Sequence, residues 1–236
     1  SFQQMHNDWH VAYQDSHRSD GIILLGYGDY QLYRSKLEHL VEMDTRFVRW
    51  GSVSDDNIGL TVGSDNVGAG MQAGRHLIEI GRRTIAFLGD ASDHAPEFQD
   101  RYAGLCQAME AAGLSPDPAL QRDAVSSEES GHAAARALLA SGRPFDAIFA
   151  ASDLIAIGAM RALTEAGLRL PHDVAIIGFD DIPAANLTSP TLTTVMQDMK
   201  SAGELLVDAL LRRLDDLPVE RAVLPTRLIK RQSTAV

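Results

Sequence analysis

Short apolar runs alternate with stretches of helical spacing along almost the whole chain, and this alternation restricts the possible folds most. Buried strands are predicted at 21–25, 84–88, 145–150 and 174–177, because each is a short run of mainly apolar residues next to turn-forming positions. Between them, apolar residues recur every three or four positions, as in helices that pack on a sheet. Strands that alternate with helices in this way predict an α/β fold with parallel sheets.

The strand at 174–177 is followed by side chains that suit ligand binding. Gly178 is expected to end the strand, and Phe179, Asp180 and Asp181 come next. Ligands of open α/β sheets bind outside the carboxyl ends of the strands, so these residues are candidates for ligand contact. An aromatic ring and two carboxylates suit a ligand with many hydroxyl groups. A surface turn, in which Asp181 caps the next element, is the alternative interpretation.

The acidic charge of the chain restricts its partners. Its 236 residues include 21 Lys and Arg against 32 Asp and Glu, a net charge of −11. Such a surface repels phosphate backbones, so these residues taken alone are not expected to bind DNA. No apolar run approaches the ~20 residues of a membrane span, and no membrane contact is expected. The single cysteine, Cys106, excludes an intrachain disulfide.

No motif of a catalytic or cofactor site stands out. The glycines at 63, 68 and 70 have the wrong spacing for a dinucleotide fingerprint, and no serine lies in a Gly-x-Ser-x-Gly motif. His76, on an apolar helical stretch, is interpreted as structural rather than as a metal ligand. Adjacent carboxylates on an extended chain point to opposite sides, so Asp180 and Asp181 do not form a catalytic pair. We therefore expect a binding protein, with no metal or cofactor.

Two other residues are candidates for ligand contact because of their chemistry and position. Arg101 is predicted one turn into the helix after strand 84–88, where its guanidinium can donate paired hydrogen bonds to hydroxyls or a carboxylate. Trp50 lies at a strand end beside a glycine, where an indole can stack on the C–H face of a sugar ring. The alternatives are a surface salt bridge for Arg101 and a core position for Trp50.

Several motifs follow one another in an order that is specific as a series. They are SDN at 64–66, GRRTIAF at 81–87, RYAG at 101–104, DAIFAASDLIAIGA at 146–159, GFDDI at 178–182, PTLTTV at 190–195 and RQST at 231–234. The series resembles the effector-binding core of the lactose/galactose repressor (LacI/GalR) family of bacterial transcription regulators. The resemblance covers nearly the whole chain from Gly21 on.

This resemblance implies a periplasmic-binding-protein-like fold of type I, with two hinged Rossmann-like α/β lobes, three crossovers between them and the effector in the cleft. By similarity, the N-terminal lobe comprises residues 1–64 and 198–222, and the C-terminal lobe comprises 65–197 and 223–236. The family's helix-turn-helix and hinge helix have no counterpart in the sequence. Neither does the first strand–helix–strand of the N-terminal lobe, so that lobe is expected to be incomplete.

The resemblance also implies roles for individual residues. Asp180 is similar to the carboxylate that accepts from effector hydroxyls, with Phe179 as a neighbouring wall, and Arg101 resembles the effector-binding arginine. Asp153 is expected to cap or orient the helix that follows it, a helix that Ser152 can also cap. The remaining effector contacts implied by position are Trp50, Ser52, Ser126, Ser152, Gln197 and Met199, while Ser64, Asp65 and Asn66 are assigned to the hinge and cleft.

At the level of function, the resemblance implies a ligand-responsive repressor that is cytoplasmic, homodimeric and not an enzyme. Its effector is expected to be a sugar or sugar derivative, and it would reach operator DNA only through the absent N-terminal helix-turn-helix. Helix 153–166, with Ile155, Ala159 and Ala162, and the loop 184–189 are the candidate dimer surface. A periplasmic sugar-binding protein of a transporter is the alternative function, and a purine is the alternative effector.

Overall fold

The computed structural model of the chain describes residues 20–26, 28–54 and 56–235, which divide into two compact units. Unit 1 combines Ser1–Gly63 with Met199–Leu224, and unit 2 combines Ser64–Asp198 with Pro225–Val236. Residues 1–19, which belong to the predicted N-terminal lobe, lie outside the described part of the chain.

The described residues form strands and helices in alternation, as the sequence pattern predicts. The strands are β1 (Ile22–Leu24), β2 (Phe47–Trp50), β3 (Leu60–Ser64), β4 (Ile85–Leu88), β5 (Gln121–Arg122), β6 (Ala147–Ala150), β7 (Ala175–Asp180), β8 (Thr193–Gln197), β9 (Ala222–Leu224) and β10 (Thr226–Ile229). The α-helices are α1 (Tyr30–Glu42), α2 (Asn66–Glu79), α3 (Pro96–Ala111), α4 (Glu128–Ala140), α5 (Asp153–Glu165) and α6 (Met199–Leu214). Short 3₁₀ helices lie at Pro118–Leu120, Pro183–Asn186 and Gln232–Thr234.

The sheet of unit 1 has the strand order β1-β2-β3-β9 and carries one apolar cluster on each face. Successive residues of a strand point to opposite faces, so Phe47 and Val48 enter different clusters. Phe47 packs with Leu37 and Leu40 of α1, and Val48 packs with Leu206 of α6. A helix therefore packs on each face of this sheet.

The sheet of unit 2 has the strand order β10-β8-β7-β6-β4-β5 and is parallel except for the antiparallel pair of β8 and β10. Its central strands β4, β6 and β7 are almost fully buried, and α2 packs with α3 while α4 packs with α5. After β4 the chain adds β5 on one side and then returns to add β6 on the other. The strand order reverses here, and such a switch point is where open α/β sheets bind ligands.

Strand β7 differs from the sequence prediction at its carboxyl end. Gly178 does not end the strand but pairs with Thr194, and β7 continues to Asp180. A Cβ atom on Gly178 would lie 2.2 Å from Oδ1 of Asp153. The glycine therefore allows a buried carboxylate to lie against the strand, a contact between distant parts of the chain that a local pattern does not show.

The prediction that one face of α5 belongs to a dimer interface is also wrong. Ile155 and Ala159 are completely buried and Ala162 is 2% exposed, because this face of the helix packs into the core of unit 2. An apolar stripe at helical spacing is typical of both a core face and an interface, so the sequence alone does not separate the two.

None of the helices in the described parts of the chain is both long enough and apolar enough to cross a membrane.

Candidate functional site

Arg101, on the second turn of α3, is buried between three other segments of unit 2. Its Nε donates to Oδ1 of Asn66 at 2.9 Å, and its Nη1 donates to the carbonyl oxygen of Ala151 at 2.6 Å. The guanidinium carbon lies 3.5 Å from the centre of the Phe179 ring, in cation–π contact. The side chain is 5% exposed, which excludes the surface salt bridge that the sequence left open.

The guanidinium retains hydrogen-bonding capacity for a ligand. Five N–H groups are available, and the contacts with Asn66 and Ala151 use one on Nε and one on Nη1. Nη2 has no hydrogen-bond partner among the described residues, and this nitrogen is not fully enclosed by protein. Burial lowers the pKa of Arg101, while the charge of Asp180 raises it. An arginine stays protonated under these conditions, so the site contains a fixed positive charge.

Asp180 ends β7 and belongs to a chain of hydrogen bonds. Its Oδ1 accepts from Nε2 of Gln197 at 2.7 Å, and Oε1 of Gln197 accepts from the hydroxyl of Ser64 at 2.7 Å. Burial raises the pKa of Asp180, and the positive charge of Arg101 and the hydrogen bond from Gln197 oppose that shift. One carboxylate oxygen, Oδ2, is left to accept hydrogen bonds from a ligand.

The backbone at Asp180 is strained. Asp180 has φ 114° and Asp181 has φ 58°, values that residues with a side chain rarely adopt. Each such residue costs on the order of 1–3 kcal/mol, and strain of this kind persists where surrounding contacts impose it, often at binding sites. Two strained residues in succession beside Arg101 mark this strand end as a candidate site.

Ser152 and Ser126 meet at the carboxyl end of β6. The Ser126 hydroxyl donates to Oγ of Ser152 at 2.9 Å, and the same Oγ accepts from the backbone N–H of Ile155 at 3.3 Å. Ser152 is thus the N-cap of α5. Because its oxygen accepts twice, the hydroxyl proton of Ser152 is left to donate to a ligand.

The prediction that Asp153 caps the following helix is wrong. Asp153 is the first residue of α5 and is completely buried, with Oδ1 accepting from the Thr194 hydroxyl at 2.6 Å and Oδ2 from the Ile182 N–H at 2.9 Å. Burial raises its pKa to about 7, and the hydrogen bonds from Thr194 and Ile182 oppose that rise. The carboxylate holds the backbone just beyond Asp180. Sequence reasoning missed Thr194, whose only signal is a hydroxyl in a buried strand.

The predicted hinge residues Ser64, Asp65 and Asn66 lie at the junction of β3 and α2, and one of them, Asn66, contacts Arg101. Asp65 is the N-cap of that helix, with Oδ1 accepting from the N–H of Gly68 at 2.8 Å. Asn66, 4% exposed, is the partner of Arg101, and Ser64 is the partner of Gln197. Their assignment to a hinge stays a prediction.

Phe179, the neighbouring wall that the resemblance implies, is enclosed behind Arg101. It is completely buried and its ring lies beneath the guanidinium of Arg101. The ring therefore supports Arg101.

Three of the predicted contacts lie in unit 1. Trp50 ends β2 and is half-buried against the cluster that contains Leu206. Ser52 is 4% exposed, and its carbonyl oxygen accepts from Nδ2 of Asn57. Met199 is the first residue of α6 and is 57% exposed. Their contact with an effector stays a prediction.

Among the described residues, no group of three or more His, Cys, Asp and Glu side chains could hold a metal ion. His76 is 6% exposed, and its Nε2 lies 2.9 Å from the hydroxyl oxygen of Thr234.

The chain is similar in sequence and in structure to proteins that are already known. A family profile described as a periplasmic binding protein-like domain matches residues 75–234. The transcriptional regulator CelR of Thermobifida fusca is 38% identical over 171 residues, which is 72% of this chain and 50% of that protein. A regulatory protein of the LacI family from Chloroflexus aggregans superposes with a TM-score of 0.83 at 30% identity, covering 96% of this chain and 80% of that one.

The chain belongs to the LacI family. A solved complex of the regulator CelR with cellobiose superposes on this LacI-family chain with a TM-score of 0.86 at 33% identity, over 94% of this chain and 68% of that one. The chain spans between 48% and 64% of the length of the curated relatives it matches.

Proposed function

We propose that this LacI-family chain is the effector-binding part of a transcriptional repressor and binds a sugar or sugar derivative through unit 2. The observation that carries the proposal is the strained Asp180 beside the buried guanidinium of Arg101, at the carboxyl ends of neighbouring strands. Residues in rare backbone conformations cluster at binding sites, where the strain orients a side chain before the ligand arrives.

The hydrogen-bonding groups left over at this site suit a hydroxylated ligand. Nη2 of Arg101 and the hydroxyl of Ser152 can donate, and Oδ2 of Asp180 can accept. A sugar hydroxyl donates and accepts at once, so adjacent hydroxyls can bridge a guanidinium and a carboxylate. The positive and negative charges balance, which favours a ligand of low net charge.

The role in regulation is supported by the relatives rather than by the site. CelR is named a transcriptional regulator and has been solved with cellobiose. We infer that the whole protein acts in the cytoplasm, is not an enzyme, and contacts operator DNA through a region outside this sequence. The net charge of −11 supports that last point, because it opposes DNA contact by these residues.

We also propose that the protein is a homodimer that uses the loop 184–189. Leu187 in this loop is 85% exposed, the most exposed large apolar residue among the described ones, while the adjacent Ala185 is completely buried and anchors the loop. A large apolar side chain in water on an anchored loop is typical of a contact surface.

The first experiment measures thermal unfolding of the chain with cellobiose, glucose, ribose, sugar phosphates and purines. A ligand at 100 times its dissociation constant adds about 2.7 kcal/mol of stability. For a chain of this size, that corresponds to a rise in Tm of about 5–10 °C. A saturable rise with one sugar class supports the proposal, whereas a rise with a purine alone overturns the assignment of a sugar.

Two variants locate the site. Arg101→Met should weaken binding of the ligand by about 1.5–3 kcal/mol, the contribution of a charged hydrogen-bond donor, as measured by isothermal titration calorimetry. Asp180→Asn keeps the shape of the side chain and should also weaken binding. Arg136→Met, on the exposed face of α4, is the matched control. Unchanged affinity in a folded Asp180→Asn variant would show that the ligand binds elsewhere.

A further inference from the structure

The side chains of the two strained residues, Asp180 and Asp181, have different partners. Asp180 contacts Gln197, whereas Oδ1 of Asp181 accepts from Nη2 of Arg231 at 2.6 Å. Arg231 lies 50 residues further along the chain, near the C-terminus. The ion pair between Asp181 and Arg231 is largely buried, with side-chain exposures of 20% and 14%. Screening by water is weak there, so the pair constrains the strained backbone more than a surface pair does.

Arg231 is itself fixed by contacts with Thr193 and Leu192. Its backbone N–H donates to the hydroxyl of Thr193 at 2.8 Å, and its Nη1 donates to the carbonyl oxygen of Leu192 at 2.8 Å. Two residues later, Ser233 donates to the carbonyl oxygen of Ile176 at 2.6 Å and accepts from the N–H of Thr193 at 2.8 Å. The segment after β10 is therefore attached to both β7 and β8, and these hydrogen bonds fix the position of Arg231 beside Asp181.

Arg231 also contributes a positive charge to a group of neighbouring carboxylates. Asp153, Asp180 and Asp181 lie close enough for the charges of Asp180 and Asp181 to raise the pKa of Asp153. Arg101 is the counter-charge of Asp180, and Arg231 is the counter-charge of Asp181. Without Arg231, the adjacent carboxylates of Asp180 and Asp181 lose one of their two counter-charges. The backbone at Asp181, with φ 58°, then loses one of the contacts that oppose its relaxation.

We propose that Arg231 is a positioning residue of the binding site: through Asp181, it holds Asp180 in the strained conformation that faces the ligand. The proposal rests on the binding role of Asp180 proposed above. It assigns to the C-terminal RQST motif an effect on ligand affinity without ligand contact.

The test compares Arg231→Met, Arg231→Lys and the control Arg227→Met in the 236-residue chain. Arg227 is an exposed arginine of the adjacent β10, so its loss changes the net charge equally without touching Asp181. In ¹H–¹⁵N spectra without ligand, Arg231→Met should shift the amide resonances of residues 180–182 and the Nε resonance of Arg101. Arg231→Lys, which keeps the charge but loses the planar fork, should shift them less, and Arg227→Met should leave them in place.

Affinity for cellobiose is the second readout. If the unmodified chain binds it, Arg231→Met should weaken binding about tenfold, with partial recovery in Arg231→Lys. If the unmodified chain does not bind cellobiose while Arg231→Met moves the resonances, the positioning role stands and the choice of ligand fails. A folded Arg231→Met variant whose resonances match those of Arg227→Met overturns the proposal.

Discussion

At the scale of single residues, the buried carboxylate of Asp153 connects the candidate site to the stability of unit 2. It lies against Gly178, accepts hydrogen bonds from Thr194 and Ile182, and has a pKa of about 7 because it is buried. A carboxyl group whose pKa is raised in the folded protein keeps its proton in the native state over a pH range in which the unfolded chain has released it. Stability from this group therefore falls as the pH rises from about 4 to about 7.

Asp153→Asn removes this dependence. The amide can still accept from the Ile182 N–H and donate to the Thr194 oxygen, so the variant should fold. Between pH 5 and pH 7, the difference in free energy of unfolding between Asp153→Asn and the unmodified chain should change by about 2–3 kcal/mol in favour of the variant. One proton contributes ~1.36 kcal/mol per pH unit. Urea unfolding followed by far-UV circular dichroism measures it.

Asp123→Asn, at an exposed position of the same unit, is the control and should follow the unmodified chain. A constant difference between Asp153→Asn and the unmodified chain at all pH values would mean that Asp153 is ionised throughout this range.

At the scale of elements, a glycine decides how closely α4 and α5 approach. A Cβ atom on Gly158 of α5 would lie 2.0 Å from the carbonyl oxygen of Glu128 in α4. Backbone atoms cannot yield as a flexible side chain does, so the two helices must separate when a methyl group is added. The apolar face of α5 that contains Ile155 and Ala159 lies in this packed core. The sequence pattern alone is typical of both a core face and an interface.

Two substitutions of the same kind should therefore have opposite signs. Gly158→Ala should destabilise the chain by about 1–3 kcal/mol through overpacking. Gly203→Ala, on the exposed face of α6 with nothing within 4 Å of the added Cβ, should stabilise it by up to about 1 kcal/mol, because alanine restricts the unfolded chain. Urea unfolding curves of the two variants give the comparison, and equal signs would contradict the close approach of α4 and α5.

At the scale of the whole molecule, the proposed homodimer makes a prediction about assembly. Leu187→Asp places a charge in the loop 184–189 and should shift the sedimentation coefficient of the chain from that of a dimer to that of a monomer, because a buried charge without a partner is unfavourable. Leu32→Asp, at a position that is 70% exposed in unit 1, is the matched control and should leave the dimer intact. A dimer that persists in Leu187→Asp would place the interface elsewhere.

The alternation of strands and helices and the family both follow from the order of residues. The order of residues also identifies Arg101 and Asp180 as candidates for ligand contact. Period-2 and period-3.6 patterns and short motifs involve residues that are close together in the sequence, so the sequence alone shows them. Partnerships between distant positions are not. The local pattern predicts a strand end at Gly178, whereas in the structure this glycine leaves room for the carboxylate of Asp153 from another element. The order of residues makes both Ser152 and Asp153 candidates to cap the helix. Only packing shows that Ser152 is the cap and that Asp153 accepts hydrogen bonds from Ile182 and Thr194. The pairing of Asp181 with Arg231 likewise depends on packing, which brings together residues that the chain keeps far apart.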